Sequence, residues 1–249
     1  MNNRSEMEGQ TKNGDIIILY IHGMGGGGDS RIPSILKDSL PDSLPEGFRD
    51  RVRVVVRTYD FDPETGRAQI ASWVDELRPV LVIGESLGSL QALRIRNVPR
   101  IFVSPSLNAP IYLGYLSFLT LIPGVTPLLD RIYLPKPGDR QRLHFTFRTL
   151  YRYIGHRKAA LRPYRQGKGE GRGAGPSIGD MERNFAFFGL HDHYRRSGIV
   201  SIRTWKKYFG ENSWETYPGT HFMEEEYVLS MLVPRIISVL GPLFLQVRV

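Results

Sequence analysis

The chain has 249 residues, 41% hydrophobic and 23% charged, with a formal net charge of +8. That length and balance exclude a disordered or low-complexity chain and allow a substantial core. The absence of cysteine excludes disulfides, thiolate metal sites and cysteine nucleophiles, and leaves the redox compartment open.

Residues 1–15 are polar and lack the apolar stretch of a secretory signal, so they read as a flexible tail and a cytoplasmic location is expected. Ile16–Ile21 is a β-rich run too short for a helix, and it ends in His22-Gly23-Met24-Gly25-Gly26-Gly27-Gly28. Helices are predicted over 30–40, 68–77 and 89–94, and strands over 52–56, 80–83 and 100–103. Short, nearly continuous apolar strands alternating with helices predict an α/β fold, with a mainly parallel sheet covered by helices on both faces. The alternation stops over about 106–180, an insert. It resumes with a strand over 185–188, a helix within 197–209, a strand over 214–217 and a C-terminal helix over 224–240, which Pro234 is expected to bend. No internal repeat is present, and 16–249 reads as a single domain.

The insert has three parts. Residues 109–129 carry no charge, a length that suits a membrane span. Pro110, Pro123, Pro127, Gly114 and Gly124 argue instead for a flexible apolar flap over a pocket, with Tyr112, Tyr115 and Phe118 as substrate-pocket candidates. From Arg131 to Arg172, twelve basic residues face only Asp139 and Glu170, a net +10 that leaves the rest of the chain at −2. The third part, 167–176, is Gly-rich and expected to be mobile.

The chemistry centres on Gly84-Glu85-Ser86-Leu87-Gly88, between a predicted strand and a predicted helix. Strand–G-x-S-x-G–helix is a nucleophile elbow, a turn that lifts a serine hydroxyl above a sheet. The pattern alone is weak, and its context raises it. A serine nucleophile needs a histidine base held by a carboxylate, and in this arrangement the acid and then the histidine follow later strands. Asp192 follows the strand over 185–188, and His221 follows the strand over 214–217. Asp192 could alternatively serve as a helix cap. His191 and His193 are weaker candidates, and no metal or cofactor is expected. The Met24 and Leu87 N–H groups are the candidate oxyanion donors. The Gly-rich loop lacks the features of a nucleotide site. Glu85 reads as a solvated or locally bonded side chain with no catalytic role.

With His22-Gly23-Met24-Gly25, the elbow, Gly189-x-x-Asp192 and Gly219-Thr220-His221-Phe222 in this order, the chain resembles the α/β-hydrolase superfamily. Its short N-terminus is similar to that of the small bacterial esterases of the YqiA type. The resemblance implies a serine hydrolase acting through an acyl-enzyme, with Ser86 attacking, His221 shuttling the proton and Asp192 orienting His221. A carboxylic ester or thioester is the expected substrate. An acyltransferase or peptidase with the same residues, or a non-catalytic binding protein on this scaffold, is the alternative. The basic, aromatic part of the insert suits an anionic substrate, an anionic membrane surface or simply a solvated helix. Nucleic acid is disfavoured because no recognised module accompanies the charge. The sequence carries no signal of oligomeric state.

Overall fold

The computed structural model describes residues 14–135, 137–165 and 183–246. Six strands form its sheet: β1 (Ile16–Ile21), β2 (Val52–Val56), β3 (Leu81–Glu85), β4 (Arg100–Val103), β5 (Asn184–Gly189) and β6 (Trp214–Tyr217). All neighbours pair in parallel, in the order β2-β1-β3-β4-β5-β6. The reversal of order at β1 and β3 opens a crevice beyond the strands' carboxyl ends, where ligands bind in such sheets. The expected tail up to residue 13 and the Gly-rich run 167–176 lie outside the described residues.

Because alternate side chains face opposite ways, β1 feeds two cores. Ile17, Leu19 and Ile21 pack on one face with Val82, Phe102 and Phe188. Ile16, Ile18 and Tyr20 pack on the other with Ile83, Val103 and Phe187. Helix α1 (Arg31–Ser39) covers the second face. Helix α2 (Pro63–Leu77) covers the first and starts five residues before the predicted boundary. Its start has a local cause: the Asp62 side chain accepts from the Glu64 and Thr65 N–H groups, and Pro63 occupies the first turn, where no N–H is needed. Helix α3 is a short element (Ser89–Ala92) after a 3-10 turn at Ser86–Gly88.

The uncharged stretch 109–129 forms α4 (Ala109–Leu119) and most of α5 (Val125–Ile132). Its prolines are compatible with both helices. Pro110 sits in the first turn of α4, Pro123 in the connection, and Pro127 in the first turn of α5. Each helix is much shorter than the roughly 20 residues that cross a bilayer.

The second half of the insert departs most from expectation. Helix α6 (Phe147–Leu161) buries Leu150, Tyr153, His156, Ala160 and Leu161, and most of these join the first core. Parallel β4 and β5 need a crossover connection, and α6 supplies its covering helix. The insert is therefore partly core. Helices α7 (His193–Arg196) and α8 (Ile202–Phe209) follow β5, and α8 begins at the Ser201 cap.

The C-terminal helical segment 225–246 runs through a turn, Glu225–Tyr227, a π-helical turn, Val228–Leu232, and α9 (Val233–Gln246). Pro234 has no N–H to give the carbonyl of Ser230, and the ladder widens immediately before it. Glu225–Leu245 is long and apolar enough to cross a membrane by length and composition alone. Here Val228, Leu232, Ile236, Leu240 and Phe244 form a buried stripe against the second face of the sheet.

Candidate active site

Strand β3 runs into the elbow through Gly84 and Glu85. Ser86 has φ 50°, a left-handed conformation that side chains other than glycine avoid. The flanking glycines make the turn possible. A Cβ at position 84 would lie 2.8 Å from the Ala92 Cβ, and one at 88 would lie 2.2 Å from the His22 carbonyl oxygen. The elbow is therefore pressed against α3 on one side and the end of β1 on the other.

The structure brings the three sequence-predicted side chains together. His221 Nε2 lies 2.9 Å from Ser86 Oγ, and His221 Nδ1 lies 2.7 Å from Asp192 Oδ2. A carboxylate can only accept, so Nδ1 carries the proton it donates, and Nε2 is left as acceptor for the serine hydroxyl. Asp192 and His221 are buried. The cap alternative for Asp192 also holds: its Oδ1 accepts the Tyr194 N–H at 2.8 Å, at the start of α7. One carboxylate thus caps with one oxygen and orients with the other. The His221 loop is itself tied down, because the Arg31 guanidinium donates to the Phe222 and Met223 carbonyls.

Beside these residues is a cavity of about 530 Å³ whose wall includes Met24, Leu87, Ala109, Leu113, Ile199 and Phe222. Ser86 and His221 face it, and its size suits a small molecule. The expected oxyanion donors Met24 and Leu87 both belong to its lining. Of the pocket candidates, Tyr112 lines the cavity, whereas Tyr115 and Phe118 do not and lie on the outer surface. The cavity meets only the first turns of α4, and the helix has run past it by Tyr115.

Several side chains shape the site without having been singled out in the sequence. Ser106 Oγ lies 3.1 Å from Ser86 Oγ, and its N–H donates to the Ser86 carbonyl at 3.1 Å. Gln141 is buried and clamps the Gly-rich loop. Its Oε1 accepts the Gly25 N–H at 3.1 Å, its Nε2 donates to the Tyr59 carbonyl at 3.0 Å, and its own N–H donates to the Gly26 carbonyl at 2.6 Å. Gln141, from the basic segment, therefore holds the Gly-rich loop after β1.

His22 begins that loop as a fixed structural group. Its Nδ1–H donates to the Gly23 carbonyl at 2.7 Å, its ring stacks on Tyr59 at 4.4 Å, and burial lowers its pKa to about 4. Glu85 is half-buried at the cavity wall rather than freely solvated, and its bond is not a local one. It accepts the Tyr20 hydroxyl across the sheet at 2.8 Å, and burial holds its carboxyl above the usual carboxylate range. Its partner lies 65 residues earlier, on a strand that the sequence does not mark as adjacent. His193 stays 6.5 Å from the His221 ring, centroid to centroid, and Asp192 remains with His221. Among the described residues, no group of three or more His, Asp or Glu side chains is arranged to hold a metal ion.

Parallel strands in this order, a strained serine between β3 and α3, an acid after β5 and a histidine after β6 make up the α/β-hydrolase fold. No family model matches the chain, and no curated protein matches it by sequence. Similar solved structures include a carboxylesterase of the ammonia-oxidizing thaumarchaeon Nitrososphaera gargenis, 14% identical, with a TM-score of 0.47 and 92% of each chain covered. A pyrethroid hydrolase from Sphingobium faniae is 17% identical, with a TM-score of 0.45 over 90% of this chain and 96% of its own. A marine microorganism esterase is 12% identical, with a TM-score of 0.49 over 91% and 96%.

Proposed function

We propose that the protein is a serine hydrolase that cleaves a carboxylic ester or thioester through an acyl-enzyme. The observation that carries this reading is the continuous path from Ser86 Oγ through His221 to Asp192, at 2.9 and 2.7 Å, opening on a largely apolar cavity. Ser86 Oγ attacks the acyl carbonyl as His221 Nε2 takes its proton, and Asp192 stabilises the imidazolium. The N–H groups of Met24 and Leu87 receive the tetrahedral oxyanion. His221 then gives the proton to the departing alkoxide or thiolate. Water, deprotonated by the same nitrogen, releases the acid and frees Ser86.

The apolar wall suits an uncharged acyl group. The two arginines that reach the cavity are already engaged, Arg31 with the Phe222 and Met223 carbonyls and Arg140 with Asp29 at 2.5 Å. The test is labelling with a fluorophosphonate probe alongside hydrolysis of short p-nitrophenyl esters. Wild type is expected to label and turn over, and Ser86→Ala to do neither. A folded wild type that fails to label overturns the reading. Equal labelling of the variant assigns the chemistry to another serine.

A further inference from the structure

The outer surface of the insert is apolar over an unusual length. Tyr115 is 73% exposed, and Phe118, Leu119, Leu121, Ile122 and Leu128 are all more than half exposed in a stretch without a charge from 109 to 129; Ile132, just beyond it, is equally exposed. Monomeric proteins rarely leave such a contiguous apolar patch to water unless it meets a partner. The patch does not end at α5. The ring of Phe118 packs on Phe147 and Tyr151 of α6, at 5.6 and 6.4 Å, so the apolar surface of α4 continues into aromatic α6.

Cations border it. Arg131, Arg142, Arg148 and Arg152 line a cleft of about 900 Å³ whose wall also includes Pro127 and Leu134, next to the apolar patch. Asp60, Asp62 and Asp130 belong to the same cleft, but two of them are occupied. Asp62 pairs with Arg152 at 2.7 Å, and Asp130 holds His144 Nδ1 and the Phe145 N–H. Arg131, Arg142 and Arg148 have no acidic partner among the described residues.

We infer that this face docks on an anionic phospholipid bilayer. The apolar side chains of α4 and α5 would enter the interface, exposed Tyr115, Tyr133 and Tyr151 would sit at headgroup depth, and the three arginines would meet lipid phosphates. Charge selects this occupant. A second copy of the chain would bring the same arginines against each other. A single nucleic-acid strand would use the arginines and aromatic rings, but would leave Leu121, Ile122, Leu128 and Ile132 in water. The contact would bring lipid close to the cavity, because α4 also supplies Ala109, Tyr112 and Leu113 to the cavity wall.

This inference does not depend on the hydrolase reading, so binding is measured with the full chain carrying Ser86→Ala as well as with wild type. The measurement is co-flotation with vesicles of phosphatidylcholine alone and of phosphatidylcholine and phosphatidylglycerol in equal parts. Both proteins should float with the anionic vesicles, roughly tenfold more than with neutral ones, and salt should weaken the binding. Leu121→Glu/Ile122→Glu/Leu128→Glu and, separately, Arg131→Glu/Arg148→Glu should each reduce flotation by about tenfold or more. Melting and probe labelling should stay as in wild type, which shows that the variants fold. Three outcomes overturn the inference: no flotation of wild type, undiminished flotation of both variants, or a patch-dependent dimer or RNA complex in place of vesicle binding.

Discussion

Ser106 Oγ lies 3.1 Å from Ser86 Oγ, which also lies 2.9 Å from His221 Nε2. With the Ser86 proton directed to His221 Nε2, the donor to Ser86 Oγ is the Ser106 hydroxyl, whose other acceptor is the Ser104 carbonyl at 3.4 Å. On the proposed mechanism, this contact would hold the Ser86 oxygen in place during attack.

Ser106→Ala removes that donor and keeps the backbone bond from residue 106 to the Ser86 carbonyl. A neutral hydrogen bond contributes about 0.5–1.5 kcal/mol, so acylation should slow by roughly two- to tenfold with KM little changed. The second-order rate of fluorophosphonate labelling checks this directly. A variant that labels faster than wild type would mean that Ser106 restrains the nucleophile.

Asp192 performs two tasks with two oxygens, and two substitutions separate them. Asp192→Asn keeps an oxygen for the Tyr194 N–H but no longer fixes the His221 tautomer, so turnover should fall by roughly 10³–10⁴-fold with near-native stability. Asp192→Ala also loses the cap and should be less stable by about a further 1 kcal/mol. Turnover and urea unfolding of the pair together provide the check. Equal stability of the two variants would show that the cap contributes nothing.

The sequence makes Ser86, Asp192 and His221 legible because a parallel sheet sends the carboxyl ends of its strands to one edge. Position after β3, β5 and β6 therefore becomes proximity in space. Gly84 and Gly88 are legible for a steric reason that holds in any such elbow. Gln141 is not, because it reaches Gly25 across 116 residues, from a segment whose evident property is charge. Ser106 follows β4, the strand beside the nucleophile's own, and that adjacency is the signal that could have found it. Tyr115 and Phe118 look like pocket residues because they are apolar. Apolar character alone does not separate a cavity wall from an exposed face, and the distinction comes from where α4 passes the cavity. Helix α6 hides for a related reason: its basic outer residues dominate the composition, while Leu150, Tyr153, Ala160 and Leu161 recur at helical spacing beneath them.

Gln141→Leu keeps volume and removes the side-chain amide's two contacts, with the Gly25 N–H and the Tyr59 carbonyl, leaving the Gly25 N–H without its acceptor; the backbone bond from residue 141 to the Gly26 carbonyl remains. Because Met24 immediately precedes Gly25, the oxyanion donor loses its fixed position. The expected result is a fall in kcat of about tenfold with a smaller change in KM, and a stability loss of about 1–3 kcal/mol. A larger effect on KM than on kcat would place Gln141 in substrate binding instead.

Acid sensitivity provides the remaining test. Burial holds both His22 and His156 at a pKa of about 4 in the fold, against 6.5 when exposed. Between these values the unfolded chain binds more protons than the folded one, so stability is fully present above about pH 6.5 and declines as pH falls towards 4. A shift of this size amounts to at most about 3 kcal/mol per histidine. His156 is the one to change, since neither of its ring nitrogens has a hydrogen-bond partner among the described residues and the Glu64 carboxylate stands 4.0 Å away. His156→Leu fills similar space beside Tyr153 without a group that must stay neutral. Urea unfolding from pH 7 to 4 should show the variant at least as stable as wild type at neutral pH and with a shallower acid decline. The remaining slope would then belong chiefly to His22, whose bond to Gly23 and stacking on Tyr59 hold the Gly-rich loop beside Ser86, so on the proposed mechanism activity should be lost over the same acid range in both proteins.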